Sequence, residues 1–369
     1  TNTGGSVPVV NAVLKAGVVP VLALMGDDGT GAAEAASGKG ARWSSEPLSF
    51  DWIRNFDGRI ALTAERANYD AYVLEKPSLA LVSRGGTLNI EGLKGGLYGG
   101  AFTASGTLTS GDAQGMALKV ALSGVPVEPF LKAAMASAPA TGTFDMTANV
   151  TARGRSQKAL MSSLAGPVRL AATNGVIRKV NLKALDEELN DLRSLDSFAR
   201  FAGTALKGGE TQYRTLAIDA TGKGGRFNID TVTSDMDGGS VTAKGYVDMG
   251  AWYADSVATI RLGSHKDAPA IPATIKGPLP VPEVKYSLGP LQTWFGKRIA
   301  LVGIKAAVGG DKLDLGTLIG GKKQQAPAIA EGEAPAEAAP QKSVEEELGT
   351  ALGKGIGKLF GKKKPAEEQ

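Results

Sequence analysis

Between Trp43 and about Leu318 the chain consists of short segments in which apolar and polar side chains alternate. The clearest are 59–64, 87–91, 101–104, 116–122 and 144–150, and the same reading fits 168–170, 216–220, 227–230, 241–243 and 258–262. Successive side chains on an extended strand point to opposite faces, so each segment presents one oily face and one wet face. Asp57-Gly58, Asn174-Gly175 and Asp237-Gly238 stand between such runs, where hairpin turns need residues that tolerate positive φ. The pattern predicts a mainly β fold, an antiparallel meander with one oily face.

An internal repeat supports the meander. Residues 85–106 align without a gap on residues 224–245, with nine identical positions that include Asn89 with Asn228, Ile90 with Ile229, and Gly99-Gly100 with Gly238-Gly239. Strand, turn and strand recur together, either as one shared unit or as meanders converging on Gly-Gly turns. With 50 glycines and only 6% aromatics, the apolar surface is built mostly from Val, Leu, Ile and Ala punctuated by turns.

Three helices interrupt the strands. Residues 126–135 place Val127, Phe130, Leu131 and Ala134 near one face, and Ser156 opens a short helix that Gly166-Pro167 closes. The longest is expected over 181–205, with Leu182, Leu185, Leu189, Leu192, Leu195, Phe198 and Phe201 at three- and four-residue steps. Such helices can cover part of the sheet, but they are too few to cover all of its oily faces.

The segments divide the chain into the end of a preceding region (1–25), a Gly/Ala-rich linker (26–41), the β domain (42–320), a disordered Ala/Pro/Glu stretch (321–342) and an amphipathic, basic-ended tail helix (343–369). Residues 7–25 are the most apolar stretch. Pro8, Lys15 and Pro20 interrupt them, which favours a buried helix or strand pair over a membrane anchor. Beginning at Thr1 without an initiator Met or a signal sequence, the chain reads as a fragment. In the tail, Val344, Leu348, Leu352, Ile356 and Leu359 form a stripe behind the Ser343 cap. Four glycines weaken that helix, so it either orders on a membrane or partner or serves as a solubilising tail.

Chemistry is hard to place on this sequence. With no cysteine there is no disulfide, thiolate metal site or cysteine nucleophile, and the one histidine, His265, is expected to be a solvated loop residue. The net charge of +4 is spread through the body, because the last 49 residues carry eight Lys and eight Glu. Nothing resembles the clustered basic stripe with aromatics that nucleic acid requires. Gly316 to Lys322 has the spacing of a phosphate loop, but Lys323 replaces the metal-binding Ser or Thr. Asp235-Met236-Asp237-Gly238 begins like a calcium loop but lacks the closing Glu. The reading is therefore non-enzymatic, with no cofactor and no metal.

From Trp43 onward the residues resemble the carboxy-terminal region of the AsmA family. The resemblance rests on Trp43-Ser44-Ser45-Glu46-Pro47-Leu48, Phe56-Asp57-Gly58-Arg59-Ile60-Ala61-Leu62 and Leu97-Tyr98-Gly99-Gly100-Ala101-Phe102. It continues through Gly142-Thr143-Phe144-Asp145-Met146, Gly154-Arg155-Ser156, Leu164-Ala165-Gly166 and Asn174-Gly175-Val176-Ile177. It covers about 43–248, with a weaker echo to Tyr286. The resemblance implies a periplasmic protein held in the inner membrane of a Gram-negative cell by an amino-terminal helix absent from this sequence. It also implies kinship with bridge-like lipid transfer proteins, which have a chorein-like start and a sheet curled into an open apolar groove, and a link to outer-membrane biogenesis and phospholipid movement.

The expected groove lining is Ile60, Leu62, Leu88, Ile90, Phe102, Leu118, Val120, Phe144, Met146, Leu216, Ile218, Phe227 and Ile229, although many of these could equally be packed core under the helices. The expected partners are phospholipids and membrane, not nucleic acid, with the oligomeric state left open. Two functions compete. One is a lipid conduit segment; the other is a structural or assembly factor for outer-membrane proteins that carries no lipid.

Overall fold

The computed structural model describes residues 7–21 and 42–307, Arg193 excepted. Among these residues fourteen strands, each hydrogen-bonded to the next in sequence order, form one open sheet whose first and last strands do not meet. They are β1 (Val9–Pro20), β2 (Asp57–Tyr69), β3 (Tyr72–Arg84), β4 (Thr87–Leu97), β5 (Gly100–Thr109), β6 (Gly115–Pro126) and β7 (Thr143–Arg153). There follow β8 (Gly166–Arg178), β9 (Glu210–Lys223), β10 (Arg226–Met236), β11 (Gly239–Asp248), β12 (Tyr253–Leu262), β13 (Ile271–Pro278) and β14 (Glu283–Tyr286). From β2 onward every pair is antiparallel, as the alternation predicts, while β1 runs parallel to β2.

Residues 7–20 therefore form neither a helix nor a strand pair. They make a single edge strand whose Val9 and Val13 are 72% and 82% exposed. The expected linker 26–41 and everything expected beyond residue 307, including the tail helix, lie outside the described residues.

The repeat is structural. Residues 85–106 form the β4–β5 hairpin and residues 224–245 the β10–β11 hairpin. Paired glycines share left-handed backbone, Gly86 with Gly225 (both φ +78°) and Gly99 with Gly238 (φ +91° and +81°). Leu88 and Phe227 are buried at equivalent places, and both first strands shift register just after the shared isoleucine, Ile90 or Ile229. Of the three expected turns only Asp237-Gly238 is one. Asp57-Gly58 opens β2 instead, where a Cβ on Gly58 would lie 2.0 Å from the Val10 carbonyl oxygen of β1. Asn174-Gly175 lies inside β8, and Asn174 at φ +50° turns the strand where its pairing with β7 ends.

Among the described residues five α-helices join the sheet, named α1 (Val127–Met135), α2 (Gln157–Ser163), α3 (Leu182–Glu188), α4 (Leu195–Ala205) and α5 (Gly289–Ala307). The long helix expected over 181–205 is two. Ser194 caps a new helix by accepting from the Ser197 N–H while Ser197 bonds back to the Ser194 N–H, so the leucine spacing continues across a break in the backbone. The sequence reading missed α5, although Pro290 near its start and the spacing of Leu291, Trp294, Phe295 and Ile299 carry the helical signal.

Two apolar clusters form on the same face of the sheet, near opposite strand ends. The larger packs Leu182, Leu185 and Leu189 around α3, Phe198 and Ala202 of α4, and Leu291 and Phe295 of α5 over Leu122, Phe144 and Met236. Phe198 and Phe295 stack with centroids 5.0 Å apart. The smaller packs Phe50 and Ile53 from the segment before β2, with Leu160 of α2, over Leu88, Val150 and Phe227. Buried Gln114 pins that segment, accepting from the Phe50 N–H at 2.8 Å and donating to the Leu48 and Gly154 carbonyls at 2.6 and 3.0 Å.

His265 is not a solvated loop residue, because it is only 4% exposed. Its Nδ1 lies 3.1 Å from buried Asp186 and its Nε2 3.2 Å from Asn190, whose side-chain oxygen also accepts from Arg298 of α5. The Ser264 N–H donates to both Asp186 oxygens. Helix α3, the loop after β12 and α5 are thus tied by a polar joint, which is why a polar turn at 262–267 is buried.

Two outcomes follow. Leu185 is fully buried between α3 and the sheet, so Leu185→Ala should cost about 2–5 kcal/mol of stability in urea unfolding. Burial also pushes the Tyr72 phenol, packed against Phe130, from 10.0 up to about 12. The unfolded chain ionises first, so stability present below pH 10 should fall as pH rises toward 12, with the phenolate absorbance of Tyr72 lagging that of exposed tyrosines.

Candidate functional site

Register places all thirteen expected lining residues on one face of the sheet. On β2, Ile60 and Leu62 pair with Leu81 and Leu79 of β3, and these lead to Ile90 and Leu93 of β4. From Leu62 a single transverse row then runs through consecutive cross-strand partners: Leu79, Leu93, Ala104, Val120, Ala148, Val168, Ala220 and Ile229. It crosses nine strands without a polar side chain, and all nine residues are half-buried. Eight steps at the usual strand spacing give a length of about 38 Å.

One residue away, the opposite face pairs Thr63, Ser78, Lys94, Thr103, Ala121, Thr147, Arg169, Asp219 and Thr231 in the same way. That row is polar except at Ala121 and mostly exposed. The same backbone thus carries a wet face and an oily one, and register alone separates them.

The thirteen residues divide by what lies over them. Phe144 is buried in the larger cluster, with Phe102, Met146 and Leu216 packed against it. Leu88 and Phe227 are buried in the smaller cluster, with Leu118 against it. Ile60, Leu62, Ile90, Val120, Ile218 and Ile229 belong to neither and stay half-buried between the two. The two flanks of the face are thus packed core, and these six residues between them lie outside both clusters. Sequence reasoning missed Leu79 and Leu93. Leu79 follows Pro77 in a strand whose alternation is interrupted there, and Leu93 lies beyond the register shift in β4.

Titratable chemistry is sparse near this strip. Among the described residues no group of three or more His, Asp or Glu side chains could hold a metal ion. The buried Asp186 and His265 satisfy one another and their neighbours within the larger cluster's rim. Among the described residues no helix is long and apolar enough to cross a membrane, which says nothing of strands.

No curated protein and no solved structure matches the chain. The AsmA family model matches residues 30–200, a span that takes in the segment before β2, strands β2 to β8 and most of the row. That match, over just under half of the chain, is to the AsmA family and fits an envelope-related function.

Proposed function

We propose that the chain is a non-enzymatic lipid-handling segment of the bacterial envelope, in which the half-buried row from Leu62 to Ile229 receives phospholipid acyl chains and supports their movement between inner and outer membranes. The observation that carries this reading is the unbroken apolar register across nine strands, flanked by two packed clusters and backed by a polar face.

The magnitudes favour lipid over a small apolar ligand. Exposing an acyl chain to water costs roughly 0.8 kcal/mol per methylene, so a free two-chain lipid faces a barrier on the order of 20 kcal/mol. A row about 38 Å long exceeds the roughly 15 Å occupied by one leaflet's tails in a 30 Å hydrocarbon core. A surface of that length lets a tail exchange one set of apolar contacts for the next without meeting water. Under this reading the protein works in the periplasm, and its partners are phospholipid and membrane.

Native mass spectrometry of the intact chain should show bound phospholipid. Leu93→Asp with Ile229→Asp, two half-buried members of the row, should remove it, while Thr147→Asp on the opposite face should leave it in place. A chain that is lipid-free from the outset, or that keeps its lipid in the double variant, would favour the scaffolding role instead.

A further inference from the structure

Beside the smaller cluster, where the chain enters the described domain at Arg42, there is a cavity of about 480 Å³. Its walls include Arg42, Trp43, Lys158, Ser162, Asp248 and Trp252. The two indoles meet edge to face with centroids 5.5 Å apart, and the Trp43 Nε1–H donates to the Met249 carbonyl at 2.5 Å. The Arg42 guanidinium carbon lies 5.2 and 5.5 Å from the two ring centroids. Flanked in this way, the guanidinium fork is held in one orientation.

The donors in this cavity are not used up. Arg42 spends one nitrogen on Asp70 at 3.2 Å, while its Nε is the one buried side-chain polar atom without a hydrogen bond among the described residues. A buried donor left unpaired costs about 1–3 kcal/mol, so such an atom calls for a compensating partner. Lys158 has no carboxylate partner among the described residues, and the Ser162 hydroxyl makes no hydrogen bond among them. The one carboxylate in the wall is committed elsewhere. Asp248 accepts from the Ala251 N–H at 2.8 Å and lies 3.9 Å from Arg226.

We propose that this cavity binds a phosphate group, carried either by inorganic phosphate or by the head of a phospholipid. The guanidinium fork lines one part of the cavity and the ammonium and hydroxyl, one turn apart on α2, line another, which suits an anion with several acceptor oxygens, and the indoles supply an apolar side. The site is separate from the apolar row and stands whether or not the row carries acyl chains.

Trp43 and Trp252 make the site self-reporting. The test is intrinsic fluorescence of the intact chain at constant ionic strength, titrated with sodium phosphate in one arm and with monomeric dihexanoyl phosphatidylglycerol in the other. Trp252→Phe assigns the signal. At least one ligand should saturate, and Lys158→Ala, at an exposed position, should weaken it about tenfold with unchanged circular dichroism and melting. The arm that saturates identifies the source of the phosphate. A flat response in both arms, or equal affinity in Lys158→Ala, would overturn the site. A lipid-free row with an intact phosphate response would sink the acyl-chain reading alone, and a lipid-loaded chain with no response would sink this site alone.

Discussion

Everything in this molecule depends on side-chain parity across the hydrogen-bonded register. A strand displaced by one residue relative to its neighbour would swap its oily set for its wet set and cut the row. Parity is also kept where the spacing of apolar residues is odd. Ile90 and Leu93 of β4 face the same way because the register shifts between them, and the same holds for Leu122 and Val125 of β6. In β10 the shift after Ile229 keeps Val232 on the apolar face, and in β3 the shift between Glu75 and Ser78 does so for Leu74 and Leu79 while seating Pro77, which has no N–H to donate. Each shift re-aims a strand that would otherwise turn its apolar side chains to the polar face.

That same device set how much could be read from sequence. Alternation was legible between the shifts, so the expected strands at 87–91, 116–122 and 227–230 each stop where the register does, and the strands continue beyond them. The thirteen expected residues do share one face, and Leu79 and Leu93, on the far sides of such breaks, share it with them. What covers each residue could not be read, because Phe144 and Ile90 have the same local pattern and differ only in whether distant helices pack over them. His265 was misread for a related reason. Its partners Asp186 and Asn190 lie far away in the chain, and only the docking of α3 and α5 brings them to it.

The coverage itself has a physical logic. Helices and the segment before β2 seal the two flanks of the apolar face, where Leu185, Phe198 and Phe295 or Phe50 and Ile53 supply packing. Between them Val120, Ile218 and Ile229 remain half-buried although full burial would add stability, at about 25 cal/mol per Å² of apolar area. Ile60, Leu62 and Ile90 are left the same way, while Ala148, Val168 and Ala220 of the row lean on the smaller cluster. The match of residues 30–200 to the AsmA family fits an envelope-related function.

The most direct measurement places a photo-crosslinking side chain at Val120 or at Ala121, adjacent residues of β6 that register puts on opposite faces. In cells, illumination should join phospholipid to the chain from position 120 and not from position 121. Equal labelling at both positions, or none at 120 in a chain that folds normally, would contradict the account.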